Sequence, residues 1–283
     1  MPDRIALVTG ATSGIGTETA LGLARAGFRV GLVGRDPERT RATAARIRAT
    51  VPGAQADGFV ADLSVQAEIR RLAAEIRERY PRLDVLVNNA GAIFDRYGAT
   101  ADGIERTWAL DHLAYMHLSL ELLDLLRAAA PARIVNVASA AHRRGRIAFD
   151  DLGHAANYSP IAVYSQAKLG NVLFSAALAR RLAGTGITSN ALHPGVIASG
   201  FASGNGGWFG LGWRVIRPFL AKPDDGAATS IHLATSPTVE GVTGRYFDAR
   251  RPVEPSARGR DVDLQERVWA MSLEQLGRQD IAR

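Results

Sequence analysis

The chain has 283 residues, of which 47% are hydrophobic, and it carries a formal net charge of +6 and a pI near 10.1. It contains no cysteine, which excludes disulfides, thiolate catalysis and cysteine metal sites. The basic residues are scattered along the chain, which favours a solvated surface over a nucleic-acid-binding face.

The first predicted element is a strand at the very start of the chain. Residues 4–16 read RIALVTGATSGIG, in which an apolar run leads into a glycine turn and then a helix pattern. Glycines let a backbone approach a phosphate group closely, and the free N–H groups of a helix start point at it. The spacing of Gly10, Gly14 and Gly16 differs from the G-x-G-x-x-G pattern, so a nucleotide site and a plain structural turn both stay open at this point.

Strands and helices then alternate along the chain. Further strands are predicted at 28–33, 56–61, 83–88, 133–138, 187–192 and near 243–247. Helices are predicted after the glycine turn and at 38–50, 65–79 (with Ser64 as its cap), 102–129, 161–183 and 224–235. This pattern predicts one α/β domain over residues 1–255, a doubly wound, seven-stranded parallel sheet with helices on both faces. The tail at 256–283 is expected to be helical.

The chemically notable residues follow the predicted strands. They are Gly10–Gly16, Arg35, Asp62, Asn89–Gly91, Ser139 and Pro194–Ser199. In a doubly wound sheet, ligands bind beyond the carboxyl ends of the strands. Their convergence on one edge therefore predicts a single ligand cleft.

Tyr164 and Lys168 are the candidate reacting pair. They are four residues apart on a predicted helix and so share one face, although such pairs also occur by chance. Lys168 and Lys222 are the only lysines. A general acid/base works best near the operating pH, and one cation at about 4 Å supplies roughly 4 kcal/mol, enough to lower a tyrosine pKa by about three units. Ser139 is placed to hold a substrate oxygen.

With these residues in place, the chain resembles the short-chain dehydrogenase/reductase family, a Rossmann-fold family, and within it the retinol-dehydrogenase-like branch. The matching stretches are Thr9-Gly10-Ala11-Thr12-Ser13-Gly14-Ile15-Gly16, Asp62-Leu63, Asn88-Asn89-Ala90-Gly91, Ser139, Tyr164-x-x-x-Lys168 and His193-Pro194-Gly195. Longer stretches such as RIVNVASAAHRRGRIAFDDL carry the closer similarity to the branch.

The resemblance implies a role for each matching residue. Tyr164 would be the acid/base, Lys168 would lower its pKa and bind the nicotinamide ribose, and Ser139 would orient the carbonyl. Cofactor contacts would come from Gly10, Ser13, Gly14, Ile15, Gly16, Asp62, Leu63, Asn89, Ala90, Gly91, Pro194, Gly195, Ile197 and Ser199.

One position departs from the family pattern. The related branch reads Asn-His-Leu where this chain has Asp111-His112-Leu113. Aspartate is similar in size to asparagine but only accepts hydrogen bonds when ionised. We expect Asp111 to pair with Lys168, to weaken its pull on Tyr164 and so to raise the tyrosine pKa; silent tolerance of aspartate is the alternative.

The cofactor is predicted to be NADP(H). Enzymes that prefer NAD(H) usually have an acidic residue after the second strand, where this chain has Gly34 and Arg35. An arginine binds a 2′-phosphate in bidentate fashion. Asp36 is the contrary sign, although a helix start is a common place for aspartate.

The substrate is expected to be a lipophilic carbonyl or alcohol. Residues 200–221, rich in glycine and aromatic residues, are interpreted as a lid, with a packed loop or an oligomer contact as the alternatives. The histidines lack metal-ligand spacing. No apolar stretch approaches the roughly 18 residues of a membrane span. The first strand begins at residue 4, which leaves no room for a signal peptide, so a cytoplasmic location is expected. A homo-oligomer is compatible with the sequence.

Two other functions remain open. One is a non-catalytic or weakly active NADP(H)-binding regulatory protein, for which Asp111 is the hint. The other is an epimerase or dehydratase on a related fold, against which the glycine spacing speaks.

Overall fold

A computed structural model describes residues 4–195 and 223–280. The strands are β1 (Arg4–Thr9), β2 (Phe28–Gly34), β3 (Ala56–Val60), β4 (Val85–Asn88), β5 (Ala132–Val137), β6 (Ile187–His193), β7 (Tyr246–Asp248) and β8 (Arg251–Val253). The longer helices are α1 (Gly14–Arg25), α2 (Pro37–Thr50), α3 (Gln66–Arg79), α5 (Ala114–Glu121), α6 (Leu123–Ala129), α7 (Pro160–Arg181), α8 (Pro223–Thr235) and α10 (Val262–Gln275). Short helices occur at α4 (Arg106–Trp108) and α9 (Ala257–Arg260).

The strands form one sheet in the order β3-β2-β1-β4-β5-β6-β7-β8. The first seven run parallel, and β1 pairs with β2 on one side and with β4 on the other. The chain order reverses at this point, which opens a crevice at the carboxyl ends of β1 and β4. Apolar side chains pack on both faces of the sheet, one cluster around Leu7 and Leu86 and the other around Val8 and Val87. This confirms the predicted α/β architecture.

The seven predicted parallel strands are all present, but the sheet has an eighth strand that was not predicted, β8, which pairs antiparallel with β7. The turn between them places Ala249 and Arg250 in the left-handed region, with φ of 45° and 65°. Tight hairpins with two left-handed residues usually contain Asn-Gly or Asp-Gly. Without that signal, and with only three residues in the strand, the hairpin has no clear sequence signature.

The predicted cap of α3 is also wrong. Ser64 instead donates through Oγ, and through its N–H, to Asp62 Oδ1 at 2.7 and 2.9 Å. The first N–H of the helix, that of Gln66, is accepted by Asp102 Oδ2 at 2.9 Å. A distant carboxylate thus satisfies the helix start, which local spacing does not reveal.

The predicted helix over 102–129 is broken into several pieces. It begins at Arg106 after a cap by Glu105, whose Oε2 accepts from Trp108 N at 2.8 Å. A π-helical turn then spans Ala109–Leu113, and a further break falls at Leu122. Isolated π-turns are rare in proteins overall, and many of those that occur lie at functional sites. This one contains Asp111.

The tail lies against the domain. Helix α10 packs on α7 through Trp269, whose ring stacks on Phe174 with centroids 6.1 Å apart and carries the guanidinium of Arg181 on its face. None of the described helices is long and apolar enough to span a membrane.

Candidate active site

Helix α7 presents Tyr164 and Lys168 on one face. It begins after Ser159, whose Oγ accepts from Ala162 N at 3.4 Å, and Pro160 occupies its first position. Lys168 is 2% exposed, and its Nζ lies 5.5 Å from the centre of the Tyr164 ring. The same Nζ donates to the carbonyl of Val137, at the end of β5, at 3.3 Å. The predicted neighbours are thus brought together.

Ser139 completes a group of hydroxyls at the end of β5. Its backbone is extended, and its Oγ accepts from Ala141 N at 3.2 Å at the start of a 3-10 turn. The side chain is also hydrogen-bonded to Tyr164. A substrate oxygen near Tyr164 therefore has a second hydroxyl beside it.

Asp111 faces this group from the π-turn. It is fully buried, its Oδ1 accepts from Ala92 N at 2.8 Å, and its Oδ2 lies 3.2 Å from Lys168 Nζ. The predicted ion pair is therefore present. Burial raises the pKa of Asp111 to about 6, although Lys168 and the Ala92 amide lower it.

Gly91 makes room for that carboxylate. A Cβ at Gly91 would lie 2.9 Å from Asp111 Oδ2. A side chain there would displace either the loop after β4 or the carboxylate. Gly91 therefore has a packing reason within this chain as well as the cofactor contact that the sequence suggested.

The pKa of Tyr164 lies above its ordinary value. Burial is the main cause and the negative charge of Asp111 adds to it, whereas the hydrogen bond from Ser139 opposes both. The expectation that Lys168 by itself brings this pKa towards neutrality is not met. The first reason is burial, and the second is that Asp111, 3.2 Å from Nζ, compensates the positive charge of the lysine.

The glycine turn forms the other end of the cleft. Gly10 and Gly14 have φ of 63° and 54°, and a Cβ at Gly16 would collide with the carbonyl of Gly10. Ser13, the residue before α1, makes no side-chain capping hydrogen bond to the helix start. The first N–H groups of α1 are therefore oriented for an anion.

The Asn89–Gly91 stretch is fastened to this turn. Thr9 Oγ1 accepts from Asn89 N at 2.8 Å and from Ala90 N at 3.0 Å, and Asn89 Nδ2 donates to Thr9 O at 2.8 Å. The loops after β1 and β4, which flank the crevice, thus form one unit.

The charged residues after β2 have different roles at the start of α2. Asp36 Oδ1 accepts from Glu38 N at 2.9 Å and from Arg39 N at 3.0 Å, so this carboxylate caps the helix. Arg35 is exposed. Arg39, which the sequence analysis missed, donates to Thr12 O at 3.2 Å and so lies over the glycine turn. Its position four residues after Arg35 was the available signal.

Asp62 and Leu63, which the resemblance assigns to the cofactor, follow β3. Leu63 is buried, and Asp62 is engaged in the local turn with Ser64. Pro194 and Gly195 follow β6, with Gly195 at φ 88°. Ile197, Ser199 and the lid at 200–221 lie outside the described residues.

His142 is a further residue that sequence reasoning missed. It is fully buried, its Nδ1 lies 2.7 Å from Ser139 O, and its Nε2 accepts from Ser256 N at 3.1 Å. His193, at the end of β6, accepts from Ala140 N at 3.2 Å. Both histidines therefore brace the turn that carries Ser139. Within residues 4–195 and 223–280, no cluster of three or more His, Asp or Glu could hold a metal ion.

A crevice at the strand reversal, a glycine turn and a Ser-Tyr-Lys group together define a nicotinamide-dependent oxidoreductase site. Residues 4–207 match the model of the short chain dehydrogenase family, and the chain belongs to that family. Within it the chain lies in the retinol-dehydrogenase-like branch. It is 39% identical to mouse (Mus musculus) retinol dehydrogenase 12 over 277 residues, covering 98% of this chain and 87% of the relative.

Solved structures agree with this assignment. An uncharacterized protein from Mycobacterium paratuberculosis superposes with a TM-score of 0.78 at 30% identity, covering 98% of this chain and 94% of that one. The NADP active-site complex of Pseudomonas aeruginosa RhlG gives 0.69 at 29% identity, covering 86% and 93%. The chain is therefore an oxidoreductase that acts on alcohol or carbonyl groups of a small molecule and uses a nicotinamide cofactor.

Proposed function

We propose that this protein transfers hydride between NADP(H) and a lipophilic carbonyl or alcohol, with Tyr164 as the acid/base. The observation that carries the proposal is the hydrogen bond between Tyr164 and Ser139 beside the buried ammonium group of Lys168. When bound, the nicotinamide supplies or accepts the hydride. Everything else in the reaction is proton transfer and positioning by the chain.

In the reductive direction, Tyr164 Oη donates its proton to the carbonyl oxygen as the hydride reaches the carbonyl carbon, and an alcohol and a phenolate result. Ser139 Oγ donates a hydrogen bond to the same oxygen and orients it. Lys168 stabilises the phenolate electrostatically. In the oxidative direction the phenolate takes the proton of the alcohol.

The nicotinamide cofactor fits the residues that are present. The glycine turn leaves no room for side chains at Gly10 and Gly16, and the start of α1 offers N–H groups to a diphosphate. Lys168 has three donors, of which the carbonyl of Val137 and the carboxylate of Asp111 account for two. The third is available for a ribose hydroxyl.

Removing the phenol hydroxyl tests the mechanism. Tyr164→Phe should lower kcat for a panel of lipophilic alcohols and carbonyls by at least about 100-fold, because the proton no longer has a donor. Cofactor binding, measured by fluorescence, should change little. Tyr80→Phe, which removes a hydroxyl bonded to Asp57 on β3, is the matched control. Full turnover in Tyr164→Phe would rule the mechanism out.

The preference for NADP(H) rests on the charges at the start of α2. Arg35 and Arg39 supply guanidinium groups there, while the carboxylate directly after Arg35, that of Asp36, is engaged as the helix cap. A free carboxylate at this position would instead bind the ribose hydroxyls of NAD(H) and repel a 2′-phosphate.

Reversing the charge at residue 35 tests this preference. Arg35→Asp should shift the ratio of kcat/KM for NADPH over NADH by about 100-fold towards NADH, through the loss of a charge-assisted contact and the gain of repulsion. Arg41→Asp, an equal charge change at an exposed position of α2, should leave the ratio unchanged. Equal use of both cofactors by the parent protein would contradict the assignment.

A second candidate function is a weakly active, NADP(H)-binding regulatory protein. The observation in its favour is Asp111, which compensates the charge of Lys168 and raises the pKa of Tyr164. Cofactor binding without turnover on the substrate panel would favour it over the first. The cytoplasmic location and the homo-oligomer stay predictions.

A further inference from the structure

A network of buried, hydrogen-bonded polar groups joins the C-terminal helix α10 to the π-turn. Asn171 Nδ2 donates to the main-chain carbonyl of Asp111 at 2.7 Å. His112 Nδ1 lies 3.4 Å from Asn171 Oδ1, and His112 Nε2 lies 3.0 Å from Ser272 Oγ. The four residues come from the π-turn, α7 and α10.

This hydrogen-bonded network is closed to solvent. His112, Asn171 and Ser272 are all fully buried. The ring of His112 is packed between Trp108, with centroids 4.2 Å apart, and the backbone of α7 at Gly170, where a Cβ would lie 2.7 Å from Nδ1. Water therefore has no room to replace a lost partner.

Only one assignment of hydrogen-bond donors and acceptors fits these contacts. Asn171 uses its NH₂ group on the Asp111 carbonyl, so its oxygen faces His112 and can only accept. Burial lowers the pKa of His112 to about 3, so the ring is neutral near pH 7. Its single N–H must then be on Nδ1, and Nε2 must accept the hydroxyl proton of Ser272.

We propose that Ser272 and His112 are positioning residues for Asp111, and that the C-terminal helix thereby sets the distance between Asp111 and Lys168. This inference rests on the proposed function, in which that pair tunes Tyr164. Among the described residues, the hydrogen bonds of His112 and Ser272 do not reach the glycine turn or the hydroxyls of Ser139 and Tyr164.

The route of the effect follows from the hydrogen bonds. Without the hydroxyl of Ser272, Nε2 of His112 is left as a buried acceptor without a donor, and the ring is held by the longer contact of Nδ1–H with Asn171 Oδ1. The ring then shifts in its pocket and weakens that contact. The amide of Asn171 loses the partner that orients it, and its hydrogen bond to the carbonyl of Asp111 loosens.

Ser272→Ala tests the inference through the pH dependence of kcat. Asp111 faces Lys168 and Tyr164 on α7, and Glu105 and Tyr115 on its own stretch of chain. Loosening Asp111 from Lys168 should move the pH limb that reports Tyr164 to lower pH by about 0.5 unit, in the same direction as Asp111→Asn. Ser272→Cys, which keeps the size and a weak donor, should restore part of the parent profile.

A double-mutant cycle shows whether the effect passes through Asp111. In the Asp111→Asn background, Ser272→Ala should cause no further shift. Ser175→Ala is the control. It removes a buried serine hydroxyl on α7 that is hydrogen-bonded to Ser189 and Asn136, and it should leave the pH profile unchanged. An unshifted profile in Ser272→Ala, or an equal shift in both backgrounds, would overturn the inference.

A measurement without turnover separates this inference from the proposed function. In ¹⁵N-histidine-labelled protein, with its resonance assigned from His112→Gln, His112 should carry its proton on Nδ1 and should stay neutral down to about pH 5. In Ser272→Ala the proton should stay on Nδ1, and the Nε2 resonance should shift because its hydrogen-bond donor is lost. An Nε2 proton in the parent would overturn the inference whatever the activity, whereas an inactive protein with the expected tautomer would count against the proposed function alone.

Discussion

The pair of Asp111 and Lys168 dominates the chemistry at the scale of single residues. Both side chains are almost fully buried, and removing one partner of such a pair leaves an uncompensated charge. The carboxylate offsets the positive charge that would otherwise favour the phenolate of Tyr164. Under the proposed mechanism, we therefore expect the rate of proton transfer to depend on the protonation state of Asp111.

Asp111→Asn should lower the pKa of Tyr164, because a negative charge that favours the neutral phenol is removed. Alcohol oxidation needs the phenolate and carbonyl reduction needs the phenol, so the limb that reports Tyr164 should move to lower pH in both directions. The measurement is kcat against pH for parent and variant.

The shift should itself depend on pH. Since the pKa of Asp111 is about 6, the parent carries the negative charge above that pH and loses it below. Parent and variant should therefore differ above about pH 6 and converge below it. Asp84→Asn, at an aspartate buried under β1 that accepts from Ile5 N, should leave the profile unchanged. Superimposable profiles for parent and Asp111→Asn would show that Asp111 is silent.

At the scale of elements, three pieces hold the reacting groups: the π-turn carries Asp111, α7 carries Tyr164 and Lys168, and the end of β5 carries Ser139. Helix α10 and the segment before it contact all three, through Ser272, Trp269 and Ser256. The tail is thus part of the packing of the site.

Trp269→Ala should destabilise the protein by about 3 to 5 kcal/mol, because it removes a large buried ring from the contact between α10 and α7. Chemical denaturation measures the change. Val262→Ala on the same helix, where the side chain is 52% exposed, should cost little. Equal losses in both variants would show that α10 is held by something other than this contact.

At the scale of the whole molecule, the fold gathers charge that is dispersed in the sequence. Residues 140–146 and 249–260 hold seven arginines and one glutamate. They are fastened together because Arg143 donates to Glu254 O at 3.0 Å, and Arg258 donates to Gly145 O at 3.2 Å. Both contacts use carbonyls and leave the positive charges uncompensated. Folding thus gathers arginines that are scattered in the sequence into a basic surface next to Ser139.

This surface should attract a polyanionic cofactor to the cleft. Replacing Arg144 and Arg146 with serine should slow association of NADPH severalfold at low salt and reduce the salt dependence of the rate, as expected for electrostatic steering. Stopped-flow fluorescence measures the rate. Replacing Arg25 and Arg127 with serine provides a control with the same change in charge. Both arginines are exposed near the amino ends of the strands, away from the cleft. An equal slowing in the control would assign the effect to net charge alone.

Local patterns in the sequence were sufficient for much of this description. Apolar runs between glycine turns predicted where each parallel strand lies along the chain, because a strand buried on both faces leaves a continuous apolar signal. The spacing of Tyr164 and Lys168 placed both on one helix face, and the resemblance to the family led to the expectation that Asp111 meets Lys168.

Tertiary structure decided the features that depend on distant partners. The hairpin of β7 and β8, the cap of α3 by Asp102 and the π-turn have no local signature. The cap is a remote carboxylate, and the hairpin turn places two residues other than glycine in the left-handed region. The burial that raises the pKa values of Asp111 and Tyr164 is likewise set by the packing of several elements. The sequence thus determined which residues could react, and only the folded chain determined their charge states, because desolvation depends on everything packed around a group.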